Sequence, residues 1–445
     1  MKRVYIYNDY QLSSGNGVGI FLEEFTRCAT KWGDNVRICM VMFRTNVEEF
    51  CIHTRDELDF FFIPRKLCKN PFKECGSIIS ILKKYIVDAK DTFFLFNYAP
   101  SDKLMFETHK YFPLSKQICI IHDFNWTAPL LGNVDLFREL IAKTRVGIPS
   151  QHIGIMNLYQ QEVKQYHIAN HVICLSEDSR SILQNYYFVP KEKITLIPHG
   201  IDTIKKGFSA IMKQKWRENY HLDSNEKVIL MVGRICKAKG MFAYLNAFKK
   251  VLKRDSNCRL VIAGELCNAP DLLDATDKVT VKITLTGMLD KDKLSYWYRM
   301  ADIGVIPSYS EQCSYVGLEM MSYGLPVVAS DGFGVRCMFR DEINTLTASI
   351  GNRNNPEEFE QNLADSTLCL LNNAKLRKKL KKNARQILQK KYSFSEMEKQ
   401  YKGEFYQFNL SSCIRQQNSL TAQFVSFSLS NLANIFYPPP NFYNN

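Results

Sequence analysis

Short apolar runs separated by amphipathic stretches recur along this chain of 445 residues. Arg3–Tyr7 (RVYIY), Thr92–Phe96, Gln117–His122, Lys227–Val232 (KVILMV), Arg259–Ala263, Ile303–Pro307 and Pro326–Ala329 are each too short for a helix. Unbroken apolar runs of this kind mark strands buried on both faces of a parallel sheet. Asn35–Phe43, His171–Ser176, Val281–Thr286 and Thr345–Ile350 read as further strands. Between them, helical spacing of apolar residues runs from about Ile20 to Trp32 and from about Gly240 to Arg254. Strands alternating with helices predict an α/β chain with mostly parallel sheets.

The alternation starts twice, at Arg3 and again at Lys227. Two Rossmann-like doubly wound domains facing across a cleft are therefore expected. The junction falls within Pro198–Asn225, where IPHGID gives way to the charged stretch KQKWRENYHLDSNEK. On this reading residues 1–205 form the first domain and 206–395 the second. Residues 396–410 form a helix packing back on the first domain. Residues 411–445 are a polar, aromatic tail of unknown role, in which Val425, Leu429, Leu432 and Phe436 fall on one helical face. The cleft between two such domains is the expected place for a ligand.

Composition narrows the picture. Hydrophobic content of 46% suits an ordinary globular protein. No apolar run approaches the ~20 residues of a membrane-spanning helix. MKRVYIYNDY leads directly into a strand, without an apolar leader. The fourteen cysteines show no CxxC and sit mostly in apolar segments such as VRICMV and QICIIH. They read as buried, reduced thiols, so a cytoplasmic location is expected. The net charge of +13 is largely local: Lys375–Lys391 carries nine basic residues and no acid. Leu376, Leu380, Ile387 and Leu388 give this segment the spacing of an amphipathic basic helix. A solvated face is its first reading. The second is peripheral contact with an anionic membrane, on its inner face. Nucleic acid is not expected as a partner, because neither zinc spacing nor an aromatic RNA-binding signature accompanies the charge.

Candidate chemistry gathers after the strands of the second half. Glu311 and Glu319 lie in SYSEQCSYVGLEMMSYGLPVVAS. Glu311 closes the loop after ADIGVIPS, and Glu319 is expected at the start of a helix, where the macrodipole favours a carboxylate. Open α/β sheets hold ligands outside the carboxyl ends of their strands. Two carboxylates there accept hydrogen bonds from several hydroxyls, which suits a sugar and a ribose. Gly233-Arg234 and Lys239-Gly240 bracket the turn after KVILMV. Two cations and free N–H groups at a helix start suit a diphosphate. The turn Ser13–Gly19 (SSGNGVG) lets backbone approach phosphate oxygens. It is not G-x-G-x-x-G, so a nicotinamide cofactor is not expected. His122 ends a strand where it could bond a substrate hydroxyl. His167 and His171 lack a third ligand, so no metal site is expected.

Taken in order, these motifs resemble those of the GT-B glycosyltransferases of family 4, a retaining family, over about residues 1–405. SSGNGVG resembles the family's G-G-x-G turn, with Asn16 for the first glycine and Gly17 kept. ANHVICLSE (Ala169–Glu177), IPHGID (Ile197–Asp202, with His199 for asparagine), VGRICKAKG, LVIAGE, LTGML and ADIGVIPS follow, and then the paired glutamates. The resemblance implies that Arg234 and Lys239 hold the donor diphosphate, with Gly233 in the same turn. It implies that Glu319 bonds the ribose, Glu311 bonds the donor sugar, and Gly17 offers a backbone N–H to the phosphates. His122 resembles a histidine placed near the sugar. Cys313, Ser314 and Tyr315 stand where backbone amides face the donor, but the family's E-G-F-G-L reads Glu311-Gln312-Cys313-Ser314-Tyr315 here.

The implied activity is transfer of a sugar from a nucleotide diphosphate sugar to an acceptor hydroxyl with retention, in bacterial glycan or glycoconjugate biosynthesis. The acceptor would be a glycan, a lipid-linked intermediate or a peptide. The nucleotide sugar is the co-substrate, and neither a cofactor nor a metal is expected. An inactive nucleotide-sugar-binding relative, an epimerase of the same fold and a membrane-surface adaptor are the alternatives.

Overall fold

The computed structural model describes residues 1–9, 17–33, 36–55, 58–67, 75–97, 102–143, 147–204, 209–265, 276 and 279–407. Ser13–Asn16 of the glycine-rich turn and the tail 411–445 lie outside them.

The first sheet has eight strands: β1 (Lys2–Asp9), β2 (Val36–Thr45), β3 (Cys51–Arg55), β4 (Leu58–Pro64), β5 (Thr92–Phe96), β6 (Lys116–Ile121), β7 (His171–Cys174) and β8 (Ile194–Leu196). Their order is β3-β4-β2-β1-β5-β6-β7-β8. All neighbours are parallel except β3 and β4. The side-chain period of two divides β1 between two layers. Val4 and Ile6 join the cluster of Phe21 and Phe25, while Tyr5 and Tyr7 join that of Phe43, Phe61 and Phe94. The hairpin β3–β4 is absent from the sequence expectation, because β3 (CIHTR) is an exposed edge without an apolar run.

The second sheet comprises β9 (Lys227–Val232), β10 (Cys258–Ala263), β11 (Ile283–Gly287), β12 (Ile303–Ile306), β13 (Val327–Ser330) and β14 (Leu346–Ala348). Its order is β11-β10-β9-β12-β13-β14, parallel throughout. The strand order reverses between β9 and β12. At such a switch point the two loops leave in opposite directions and open a crevice.

The two sheets share apolar packing. Val4, Ile6 and Phe21 belong to the same buried cluster as Leu230, Ile306 and Leu318. Two chain crossings link them. Ile201 pairs with Ser393, and backbone bonds join Ile201 N to Tyr392 O (3.0 Å) and Phe394 N to Ile201 O (2.9 Å). The helix Phe394–Gln407 lies on the helix Gly17–Ala29. Tyr401 packs edge-on against Phe25 (5.1 Å between centroids), and Phe405 lies 5.5 Å from both Trp32 and Phe93.

The basic segment forms the helix Ala374–Lys391. Leu380, Ala384 and Leu388 are buried, and the helix packs against the helix Tyr315–Tyr323. Its apolar stripe is thus consumed inside the protein, while Lys375, Lys378, Lys379, Lys382 and Lys390 stay exposed. Among the described residues, no helix is long and apolar enough to cross a membrane.

Candidate active site

The loops after β9 and β12 meet at the switch point. After Gly233 the chain makes a short 3-10 turn, Lys237–Lys239, and enters the helix Met241–Arg254 through Gly240. Gly240 has φ +68°, and a Cβ there would fall 1.9 Å from Pro307 O. Only glycine permits this approach. Tyr309 N donates to Ala238 O (2.9 Å), fastening the loops. Lys239 Nζ then lies 2.6 Å from Glu311 Oε1, which also accepts from Ser308 Oγ (3.0 Å). The side chains of Lys239 and Glu311 are 26% and 14% exposed. That shields the pair from water more than a surface ion pair. Arg234 is exposed, and no carboxylate among the described residues lies within ion-pair distance of it.

Glu319 corrects one expectation. The helix starts at Tyr315, with Ser314 as N-cap accepting from Gly317 N (3.3 Å). Glu319 is therefore in the second turn, beyond the free N–H groups that would favour its charge. Tyr298 OH donates to its Oε2 instead (2.7 Å). Burial raises the Glu319 carboxyl above its ordinary range, and Tyr298 and Lys291 oppose that.

Gly17 begins the helix Gly17–Ala29. A Cβ built on it would lie 3.8 Å from the Tyr315 ring. The starts of two helices, one from each half of the molecule, thus lie close together, and the positive end of a helix dipole favours an anion. Cys313 and Ser314 are engaged within the protein. Cys313 is buried, with its thiol pushed up to about 12 by burial, so it stays protonated at neutral pH. Ser314 N donates to Met338 Sδ (3.1 Å) while its hydroxyl caps the helix.

On the facing sheet, His122 follows β6. Its Nε2 bonds Asn97 Oδ1 (2.9 Å), and Asn97 Nδ2 donates to Asn8 Oδ1 (3.4 Å). This polar row crosses the carboxyl ends of β1, β5 and β6. His122 also packs on Phe21 (4.9 Å) and stacks on His199 (5.5 Å), which in turn stacks on Tyr315 (4.5 Å). Burial holds His122 down at about 3, so the imidazole is neutral near pH 7. It can bond a ligand but brings no charge. His167 and His171 bond Tyr187 O (2.9 Å) and Thr195 Oγ1 (2.8 Å). Among the described residues, no group of three or more His, Cys, Asp or Glu is placed to hold a metal ion.

Sequence reading passed over Gln312 and Asn97. Asn97 ends TFFLFN as His122 ends QICIIH, a polar residue closing a wholly apolar run, and that was the available signal. Gln312 is 4% exposed. Its Nε2 donates to Asp123 Oδ1 (3.3 Å), and its Oε1 accepts from Ser176 Oγ (3.3 Å) and Ser179 Oγ. One side chain of the loop after β12 thus joins two segments of the opposite half. Beside it, Asp178 Oδ2 accepts from Gly334 N and Arg336 Nε (both 2.8 Å). Gly334 has φ +72°, and a Cβ there would meet Glu311 O at 1.7 Å. The turn that Asp178 grips therefore lies directly against Glu311.

Two family descriptions match the chain: "Glycosyltransferase Family 4" over residues 15–205 and "Glycosyl transferases group 1" over residues 212–387. The first covers β2–β8 of the eight-stranded half and the second covers the switch-point half. The chain belongs to the GT-B glycosyltransferases of family 4. This family 4 chain is 28% identical to an alpha-D-kanosaminyltransferase of Streptomyces kanamyceticus over 242 residues, 54% of this chain and 61% of that protein. It therefore spans about six-tenths of that relative's length. Among solved structures it resembles a sucrose-phosphate synthase from Thermosynechococcus elongatus, with TM-score 0.72, 17% identity, 93% of this chain and 100% of the other covered. It also resembles Anabaena HepE in complex with UDP and glucose, with TM-score 0.65, 14% identity, and 91% and 100% covered. At these identities the two structures speak for the fold.

The eight-stranded half of this family 4 chain holds a buried carboxylate, Glu162. Its Oε1 accepts from Asn125 N (2.8 Å) and Asn125 Nδ2 (2.7 Å), and its Oε2 accepts from Tyr187 OH. Burial raises its pKa from 4.5 to about 7, against these hydrogen bonds. Between those values the folded protein holds a proton that the unfolded chain has lost. Stability should therefore fall as pH rises through this window, by up to roughly 3 kcal/mol. Glu162→Gln should flatten that slope. Urea unfolding at about pH 5 and about pH 8 checks it: equal slopes for variant and wild type would show that Glu162 does not titrate there.

Proposed function

We propose that this protein transfers a sugar from a nucleotide diphosphate sugar to an acceptor hydroxyl with retention at the anomeric carbon. The observation that carries the proposal is the Lys239–Glu311 pair at the β9–β12 switch point (2.6 Å), opposite the helix start at Gly17. A diphosphate needs cations and free N–H groups, while a sugar needs a carboxylate that accepts from its hydroxyls. Here the cation and the carboxylate touch each other. A donor would replace that contact, taking Lys239, Arg234 and the Gly17 amide for its phosphates and Glu311 for its sugar. Glu319 would bond the ribose, and His122 a sugar hydroxyl. Positive groups fixed in advance stabilise charge developing on the leaving diphosphate. We read the second sheet as the donor half and the first as the acceptor half.

The relatives' names support glycoconjugate synthesis: alongside the kanosaminyltransferase, an alpha-monoglucosyldiacylglycerol synthase of Streptococcus pneumoniae is 30% identical over 168 residues. A glycan, a lipid-linked glycan and a peptide each fit as acceptor. The exposed lysines of the helix Ala374–Lys391 suit an anionic bilayer. With Leu380, Ala384 and Leu388 buried, such contact would be electrostatic rather than inserted. Co-sedimentation with vesicles containing phosphatidylglycerol should therefore disappear on raising salt, and binding that survives salt would contradict it.

Calorimetry tests the donor site. With EDTA present, one of UDP, GDP and ADP should bind saturably. Arg234→Ala and Glu319→Ala should each weaken it, by roughly 10-fold or more. Folded wild-type protein that binds none of the three would defeat the proposal.

A further inference from the structure

A second carboxylate stands at the carboxyl end of β6. Asp123 follows His122, and its Oδ1 accepts three hydrogen bonds: from Phe124 N (3.0 Å), Thr127 Oγ1 (2.5 Å) and Gln312 Nε2 (3.3 Å). Among the described residues, no donor lies within hydrogen-bond distance of Oδ2. Thr127 and Gln312 are buried, yet Asp123 keeps contact with solvent. One oxygen is saturated from the protein side and the other is left for something outside it. The three bonds fix the plane of the carboxylate, so one oxygen always faces outward.

The support extends further back. Glu162 holds both the backbone and the side chain of Asn125, two residues on, which stiffens the turn. The surrounding protein raises the Asp123 carboxyl above the ordinary range, and the hydrogen bonds from Thr127 and Gln312, with the charge of Lys239, oppose that. Through Gln312, Asp123 faces the loop of Glu311 from the opposite sheet. One of its three donors, Gln312, comes from the loop that carries Glu311. The constellation is complete only with the two halves closed, and Gln312 stands where family 4 usually has glycine.

We propose that Asp123 Oδ2 seats the acceptor by accepting a hydrogen bond from one of its hydroxyls, and that Gln312 sets this carboxylate as the domains close. This rests on the transferase reading above. During transfer the acceptor oxygen forms a bond to the anomeric carbon. The bond from that carbon to the diphosphate oxygen breaks, and its electron pair leaves with the diphosphate. The proton of the attacking hydroxyl passes to a leaving phosphate oxygen, and Asp123 keeps its charge throughout. In a sugar acceptor Asp123 holds a hydroxyl next to the attacking one; in water it holds the second hydrogen. An uncharged, hydroxyl-rich acceptor fits such a seat, and an acidic group placed there is repelled.

Water serves as the probe acceptor. Release of nucleoside diphosphate from the matching nucleotide sugar is measured, with calorimetry of the nucleoside diphosphate alongside. Asp123→Asn keeps the shape and the Oδ1 acceptor but turns the outer group into a donor. It should lower kcat about 10- to 100-fold, with KM for the donor and nucleotide affinity within about twofold of wild type. Gln312→Ala should lower kcat in the same direction. The double variant should fall no further than Asp123→Asn alone, since both act through one hydrogen bond. Unchanged turnover in Asp123→Asn overturns the proposal, and so does a parallel loss of nucleotide affinity, which would make Asp123 part of the donor site or the scaffold. Wild type that binds nucleotide but releases none also overturns it, because a seat for a hydroxyl admits water. Wild type that binds no nucleotide defeats the transferase reading itself, and this proposal with it.

Discussion

Everything at the crevice depends on how closely the loop after β9 approaches the loop after β12. The approach is set by backbone. Gly240 leaves no room for a Cβ against Pro307 O, and Tyr309 N is bonded to Ala238 O. Parallel strands in the order β11-β10-β9-β12-β13-β14 make these two loops neighbours although some seventy residues separate them in sequence. Lys239 and Glu311 then meet without either having to reach. The half-buried pair stores a cation and a carboxylate in one place, each neutralising the other.

The second half of the arrangement is the grip across the interface. Gln312 and the Gly334–Arg336 turn hold the loop of Glu311 against Ser176, Asp178, Ser179 and Asp123. Tyr315 stacks on His199, which stacks on His122. Opening the two halves must therefore disturb the loop that carries Glu311. Closure and site assembly are one event in such a geometry, as they are in enzymes whose closing motion completes the catalytic constellation.

Much of this was legible in the sequence because burial on both faces leaves an unmistakable trace. β5 and β9 (TFFLF and KVILMV) carry long apolar runs and were placed to the residue. β3 and the three-residue β8 lack such runs and were not. The family pattern singled out Arg234, Lys239, Glu311 and Glu319, but spacing could not say that Lys239 touches Glu311 while Arg234 stays exposed. It misplaced Glu319 at a helix start, since the capping role of Ser314 is hidden inside Gln-Cys-Ser. Asp123, Gln312 and Asn97 owe their positions to contacts between distant segments, and a polar residue after an apolar run is too common to stand out alone.

A crystal soaked in EDTA with the nucleoside diphosphate that binds tests the central claim most directly. The account predicts phosphate density between the Gly17 amide and Lys239, with Lys239 Nζ withdrawn from Glu311. Diphosphate bound elsewhere, or bound there with the Lys239–Glu311 pair intact at 2.6 Å, would contradict it.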